Sequence, residues 1–320
     1  MRTYVVLIVI LFMSTVATAQ KGDGGYAGAF LRMGVNARAA ALGDAHSALP
    51  EGSVAGFYNP GLLPYLAGRS VTLSYSFLPL DRSMHYIGYA QSLQPSPEAA
   101  GALAAGFSLA WIGAGVDNID GRDGSGQHTQ TFSHSNNAFY LSFALSPHPY
   151  VSIGVSGKVL WNRFPQLEND GSALSSQSFG LDFGVFITPF QNLMLGVVLR
   201  DRLSKFTWNT DQVWDRGTST TNAFPKSYRI AVSYRIPQDW LLFCTELENS
   251  DKQNPRYHFG LEAKILHYGA LRLGLDDDMP AFGFGLNVPV LGRKSMFDYT
   301  FIASGQTPGA DHLLSWTFGF

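Results

Sequence analysis

From Ser70 to the C-terminus, the chain falls into segments of about ten residues in which apolar side chains alternate with polar or small ones. A period of two is what a strand with one apolar and one polar face requires, and it is incompatible with helices over the same residues. In the last segment, Leu314, Trp316, Phe318 and Phe320 share one face while Ser315, Thr317 and Gly319 share the other. Tyr228, Ile230, Val232, Tyr234 and Ile236 oppose Arg229, Ala231, Ser233 and Arg235 in the same way. Read along its whole length, this pattern predicts fourteen strands, at 70–78, 83–93, 101–113, 135–146, 150–162, 177–188, 192–201, 226–236, 239–249, 256–266, 268–276, 280–288, 295–303 and 312–320.

Alternation suits a soluble β-sandwich as well as a membrane barrel, because each gives a strand one apolar face. The connections separate the two. The longest, at 114–134, 163–176 and 202–225, all follow odd strands, although 79–82, 250–255 and 277–279 there are short, whereas those after even strands are mostly tight, as at Pro147-His148-Pro149 and Pro237-Gln238. Long loops at one end and short turns at the other are the pattern of an outer-membrane barrel, and a sandwich has no reason to sort its loops by parity. Composition agrees: aromatic residues make up 13% and charged residues only 14%, against about a quarter charged in soluble domains. A net charge of −2 leaves no excess of cations for a phosphate backbone, so nucleic acid is not an expected partner. Outer-membrane lipid and lipopolysaccharide are.

Arg2, the apolar run Val5 to Met13 and the small-residue site Ala17-Thr18-Ala19 read as a signal peptide over 1–19, with the mature chain starting at Gln20. The single cysteine, Cys244, offers neither an internal disulfide nor a thiolate cluster. Residues 20–69 do not alternate. Arg38 to Leu42 contains strong helix formers and stops at Gly43, and Asn59-Pro60 opens a second short turn. So long a segment ahead of the first strand is expected to fold back as a plug in the lumen. The expected fold is therefore an all-β, antiparallel transmembrane barrel, residues 70–320, with a plug or hatch at 20–69 containing short helices. Trp316, Phe318 and Phe320, at the end of the last strand, suit the C-terminal signal read by a barrel-assembly machinery.

The stretch Gly34-Val35-Asn36-Ala37-Arg38-Ala39-Ala40-Ala41-Leu42-Gly43-Asp44-Ala45, followed by Tyr58-Asn59-Pro60-Gly61-Leu62, resembles the N-terminal signature of PorV/PorQ-type outer-membrane proteins, within the wider FadL-like group of fourteen-stranded barrels. Phe224 to Arg229, Phe259 to Glu262, Phe282 to Leu286 and His312 to Phe320 follow in the order of that family. Relatives usually carry Trp before the Asn-Pro and Ala after it, where this chain has Tyr58 and Gly61. The resemblance singles out Gly34, Arg38, Leu42, Gly43, Asn59 and Pro60 as the plug motif. It implies two functions. One is a non-enzymatic accessory of protein export of the type IX kind, docking secreted proteins or secretion-system components on its outer loops. The alternative is FadL-like uptake of long-chain fatty acids or other hydrophobic compounds.

Chemistry beyond this is sparse. No serine stands in a Gly-x-Ser-x-Gly elbow, so lipid hydrolysis is not expected. Asp117 to Gly124 has the acidic look of a calcium loop, but Ile119 and His128 stand where oxygen donors belong, and a polar outer loop is the better reading. Asp276-Asp277-Asp278 could hold a divalent cation but is more simply solvated. No metal or cofactor site is expected. The charged residues opposite the apolar face are Lys158, Asp182, Arg200, Arg229, Arg235, Glu246, Glu248, Glu262, Lys264, Arg272, Asp276 and Asp298, six of each sign. A pore selective for one ion type shows rings of one sign, so these are read as bracing pairs, such as Arg229 or Arg235 with Glu246 or Glu248. Phe164, Phe206, Trp208 and Trp214 lie in the long outer loops and are candidate contacts for an apolar ligand or a partner, or else parts of a lid. A kink at Gly101, Gly106, Gly113 or Gly115 would favour lateral passage through the wall. An unbroken wall around a plugged lumen would favour docking.

Overall fold

The computed structural model describes residues 24–94, 103–164, 173–211, 216–265, 268–290, 292–303 and 309–320. The signal-peptide reading, Gly101 and Trp214 fall outside them. The strands are β1 (Arg69–Leu78), β2 (Arg82–Leu93), β3 (Ala104–Arg122), β4 (His128–His148), β5 (Val151–Phe164), β6 (Leu174–Phe190), β7 (Leu193–Arg202), β8 (Lys205–Asn209), β9 (Ser219–Ala223), β10 (Ser227–Arg235), β11 (Leu241–Ser250), β12 (Arg256–Ile265), β13 (Gly269–Asp276), β14 (Met279–Asn287), β15 (Ser295–Ala303) and β16 (Ala310–Gly319). All but β8 and β9 form one closed antiparallel barrel of fourteen strands. Closure runs through β1 and β16, from Ser70 opposite Gly319 to Phe77 opposite His312. Closure also removes the free sheet edges that lipid could not hydrogen-bond.

The alternation has the physical meaning expected of it. On β1, Leu73, Tyr75 and Phe77 are exposed on the outside while Thr72, Ser74 and Ser76 are buried in the lumen. A belt of exposed Leu, Phe, Tyr and Trp surrounds the barrel, and its charges are turned inward, which is stable only when hydrocarbon is the outer solvent. Leu314, Trp316 and Phe320 extend this belt at the C-terminus, with Phe318 half-buried beside Trp316.

Two stretches read as loops are strands instead. Residues 114–134 continue β3 and β4 into a hairpin beyond the membrane belt, still paired from Ile119 opposite Phe132 to Arg122 opposite His128. Their side chains are polar on both faces, so backbone pairing persists where no apolar face marks it. Likewise 202–225 contains the hairpin β8–β9, which lies outside the barrel while β7 pairs directly with β10. The wall is unbroken at the glycines of β3: Gly106, Gly113 and Gly115 are each paired on both sides, to β2 and to β4.

Residues 24–68 thread the lumen from the end carrying the long hairpins to the end of the short turns. They form a 3-10 turn at Ala29–Arg32, helices α1 (Ala37–Ala41) and α2 (Ala55–Tyr58), and a second 3-10 turn at Pro60–Tyr65. Helix α1 starts because the Asn36 side chain accepts the Ala39 N–H at 3.2 Å, and it stops at Gly43, whose φ of 63° belongs to the left-handed region. Glycine is also required there by space: a Cβ on Gly43 would overlap the carbonyl oxygens of Leu275 and Phe259 in the wall. The wall answers with glycines of its own, since Gly260 and Gly274, opposite each other on β12 and β13, press against Leu42 and Gly43. The Asn59 side chain accepts from Gly61 at 2.9 Å and donates to the carbonyls of Ser47 at 2.8 Å and Val185 at 3.0 Å, tying the lower plug to β6. Pro60 follows in the first helical position, where no N–H is missed.

Candidate functional site

The lumen holds three groups of buried charges, and the plug supplies a member to two of them. Arg38 makes a bidentate pair with Glu262 at 2.8 Å and reaches Glu51 with its third nitrogen; Glu262 also accepts from Arg272, which in turn holds Asp298 at 2.7 Å. Arg229 bonds Glu248 at 2.6 Å, Glu246 at 3.0 Å and Asp44 of the plug at 3.3 Å, and Glu246 accepts the N–H of Ser47. Lys158 sits between Asp182 at 2.8 Å and Asp201 at 2.7 Å, wholly within the wall. These pairs satisfy charges that would otherwise be prohibitive to bury, and they clamp residues 38–51 against β10 to β15.

Not every predicted lumenal charge lies there. Arg235 does not pair with Glu246 or Glu248; it lies at the short-turn rim and binds Glu51 and Asp239, because β10 ends there. Lys264 sits at the same rim, partly exposed, bonded to Asp239 at 2.6 Å, and that bond holds the Asp239 carboxyl below its ordinary range. Asp276 is no simple solvated acid: it pairs with Arg256 at 2.8 Å and His258 at 3.0 Å. Arg200 forms no ion pair among the described residues; its guanidinium stacks 4.5 Å from the ring centroid of Phe57 on the plug. Asp117 to Gly124 ends β3 in a tight turn where Asp123 Oδ1 accepts the backbone N–H groups of Ser125 and Gln127 and the Ser125 hydroxyl.

The loop aromatics form a lid. Phe206, read as an exposed contact, is 2% accessible and packs edge-on against Phe224 at 5.0 Å, beside Phe30 and Leu31 of the plug. Trp208 is half-buried between Phe206 and Phe164, and Phe164 stacks on His134 at 4.0 Å. The hairpin β8–β9 thus folds inward onto the plug rather than outward.

The barrel also holds two cavities. The one at the long-hairpin end, about 250 Å³, is bounded by the plug around Met33 and Gly34, by Met84, Met279, Ile302 and Leu313 of the wall, and by the charged Arg32, Arg256, Asp276 and Asp311. The other, about 840 Å³, reaches the short-turn end past Trp240 and is bounded by Asn36, Arg38, Arg272 and Asp298. On the plug, a single residue, Val35, separates Gly34 on one from Asn36 on the other. The wall passes from one to the other over four residues: on β15, Ile302 faces the first cavity and Asp298 the second; on β16, Leu313 and Thr317 do the same. The residues between, Thr300 and Ser315, both hold Ala37. Its N–H donates to Ser315 Oγ at 2.7 Å and its carbonyl accepts from Thr300 Oγ1. Ala37, Thr300 and Ser315 are essentially inaccessible to solvent, so this constriction is closed.

None of these residues was marked by the sequence pattern as a site. Thr300 and Ser315 are small polar residues at ordinary lumenal positions, and only the path of the plug gives them a task. Below the constriction, His46 of the plug is buried with neither ring nitrogen hydrogen-bonded among the described residues, edge-on to Tyr58 at 5.0 Å. Burial, aided by Arg38, pushes its pKa down to about 3, so the ring is neutral. Asp44 is held above its ordinary range by burial, against the pull of Arg229.

The chain matches no protein-family model, and no curated protein matches it. Solved structures do. The P. putida toluene transporter TodX superposes with a TM-score of 0.64 at 12% identity, covering 90% of this chain and 99% of that one. The Ralstonia pickettii toluene transporter TbuX gives 0.61 at 12%, covering 90% and 98%, and a Pseudomonas aeruginosa FadL homologue gives 0.59 at 10%, covering 89% and 98%. The fold is that of the FadL-type barrels. That is the fold the N-terminal motif implied, and none of these three neighbours is named as a PorV or PorQ protein.

Proposed function

We propose that this barrel is a non-enzymatic outer-membrane channel through which small hydrophobic molecules pass along the lumen to the periplasm. The observation that carries the reading is the pair of cavities in series, parted by a narrow stretch of plug at Val35 that is held to the wall by two side-chain hydrogen bonds at Ala37. Long hairpins mark the outer end of such barrels, so the cavity at that end is the receiving one. Its three methionines suit it to apolar molecules of varied shape, because the thioether chain is flexible and polarisable. At about 250 Å³ it lies below the roughly 300–1,000 Å³ of sites for drug-sized ligands, which favours a compact solute over a long acyl chain.

An unbroken wall by itself would favour docking over transport, and it argues against lateral exit at β3. It leaves the axial route open, and the tandem cavities lie on that route. Neighbours of the same fold that are named as toluene transporters support passage of compact apolar solutes. An accessory role in protein export rests on the N-terminal motif alone and stands second. Phe206 and Trp208, as parts of the lid, are proposed to part when a solute enters. The test is uptake of radiolabelled toluene at low concentration by intact diderm cells lacking a hydrocarbon channel of their own, with and without this protein in the outer membrane. A faster initial rate is expected with the protein. Equal rates at proven folding and abundance would refute the reading.

A further inference from the structure

Asp311 lies on the lumenal face of β16, opposite Ile302, and lines the outer cavity. Its Oδ1 is buried and accepts no hydrogen bond among the described residues. The other charged groups of that cavity are engaged: Arg256 pairs with Asp276, and Arg32 donates to the carbonyls of Ala27 and Tyr26. A chamber of mixed lining, whose other charged groups are paired or bonded, therefore presents a spare acceptor at Asp311. The inner cavity repeats the situation with mixed polarity. Arg272 Nη2 is a buried donor without a partner, and neutral His46 offers one ring nitrogen as donor and the other as acceptor. Buried polar groups left unpaired are costly, and a ligand that completes them gains what the empty site forgoes.

A pure hydrocarbon completes none of these groups. A carboxylate would meet the like charge of Asp311 in the first chamber. A hydroxyl suits both sites, since it can donate to Asp311 in the outer cavity and either accept from Arg272 or donate to His46 in the inner one. We infer that the favoured solute is a compact apolar molecule carrying a neutral hydroxyl, of the phenol class, in preference to the bare hydrocarbon or the carboxylic acid. This rests on the proposed passage of hydrophobic molecules and narrows it to a substrate class.

Three probes share one ring: phenol, toluene and benzoate. Their dissociation constants are measured at neutral pH, where phenol is uncharged, by isothermal titration with the full-length protein in detergent micelles, corrected for partition into empty micelles. Phenol is expected to bind about tenfold or more tighter than toluene, as for a hydrogen bond to a charged acceptor. Benzoate is expected to bind more weakly than either. Asp311→Leu should lessen the preference of phenol over toluene to the share the inner cavity contributes, while toluene itself binds at least as well, which also shows that the variant is folded. Asp311→Asn keeps an acceptor but removes the charge, so it should retain more of the phenol preference than Asp311→Leu and lessen the exclusion of benzoate. If toluene binds and phenol gains nothing over it, the hydroxyl inference is wrong and the passage reading stands. If the preference is undiminished in Asp311→Leu, its assignment to Asp311 is wrong. If none of the three binds, both fall.

Discussion

Removing the two hydroxyls that hold Ala37, with Thr300→Val and Ser315→Ala together, should loosen the plug without weakening the barrel. Both substitutions preserve or slightly reduce volume, and the wall at β15 and β16 is held by backbone hydrogen bonds that neither change touches. What the plug loses is the partner of one buried N–H and one buried carbonyl, and the wall loses the bond between the Ser315 and Ser74 hydroxyls at 2.8 Å. Each such loss costs about 1–3 kcal/mol, and the low end applies here because the inner cavity begins one residue away at Asn36 and water can reach the constriction. The pair therefore costs the closed position about 2 kcal/mol, or roughly a thirtyfold rise in the open fraction. Planar-bilayer conductance reads this directly as time spent open, and Thr207→Val, which removes a hydroxyl of the exposed β8–β9 hairpin, serves as the control. Thermal unfolding of the barrel should stay within a few degrees of the parent. A conductance trace indistinguishable from the parent, with the same unfolding temperature, would refute the assignment of Ala37 as the closing point.

Three other perturbations address the plug and its anchors. Gly43→Ala places a methyl group against two wall carbonyls at a φ that costs a non-glycine residue about 1–2 kcal/mol before any clash, so residues 34–49 should become protease-sensitive while the barrel stays heat-resistant in gel-shift assays. Arg229→Leu leaves Glu246, Glu248 and Asp44 as uncompensated buried acids, a loss of about 3–5 kcal/mol, and should sharply lower the yield of folded barrel, measured by the same gel shift. His46 gives a pH dependence whose sign is fixed. With a folded pKa of about 3 against an ordinary 6.5, the unfolded state binds the extra proton between those values. Its contribution to stability is therefore complete above about pH 6.5 and is lost as pH falls towards 3, by about 2 kcal/mol at pH 5. His46→Phe keeps the edge-on contact with Tyr58 and should flatten that part of the acid-denaturation curve.

The alternation of residues such as Leu73, Tyr75 and Phe77 with Ser74 and Ser76 made the barrel legible, because lipid outside and a polar interior impose the period on every strand. The extension of β3 and β4 past Val116 was not legible, since beyond the membrane belt water solvates both faces and the period vanishes while the backbone ladder continues. Register decided which charges meet. Arg229 faces Glu248 directly across β10 and β11, a pairing local enough to foresee, whereas Arg235 found Glu51, which only the fold of the plug brings near. Arg38 and Glu262 are likewise distant in the chain and meet only because α1 lies against β13 to β16. The cavities leave no linear trace at all: Met33, Met84 and Met279 line one chamber from three separate parts of the sequence. Phe206 and Trp208 showed as loop aromatics, but whether such rings turn to solvent or onto Phe224 depends on the hairpin geometry of β8 and β9.

The central claim is that solutes travel through the lumen and that the plug must leave Ala37's position for them to pass. A disulfide across that point tests it most directly: Ala37→Cys with Ser315→Cys, in a Cys244→Ala background, assayed for toluene uptake in cells before and after reduction. The account predicts that the oxidised protein, with closure of the bridge verified by mass spectrometry, carries no toluene above the background of cells without it, and that reduction restores uptake. Undiminished uptake through the bridged protein would contradict it.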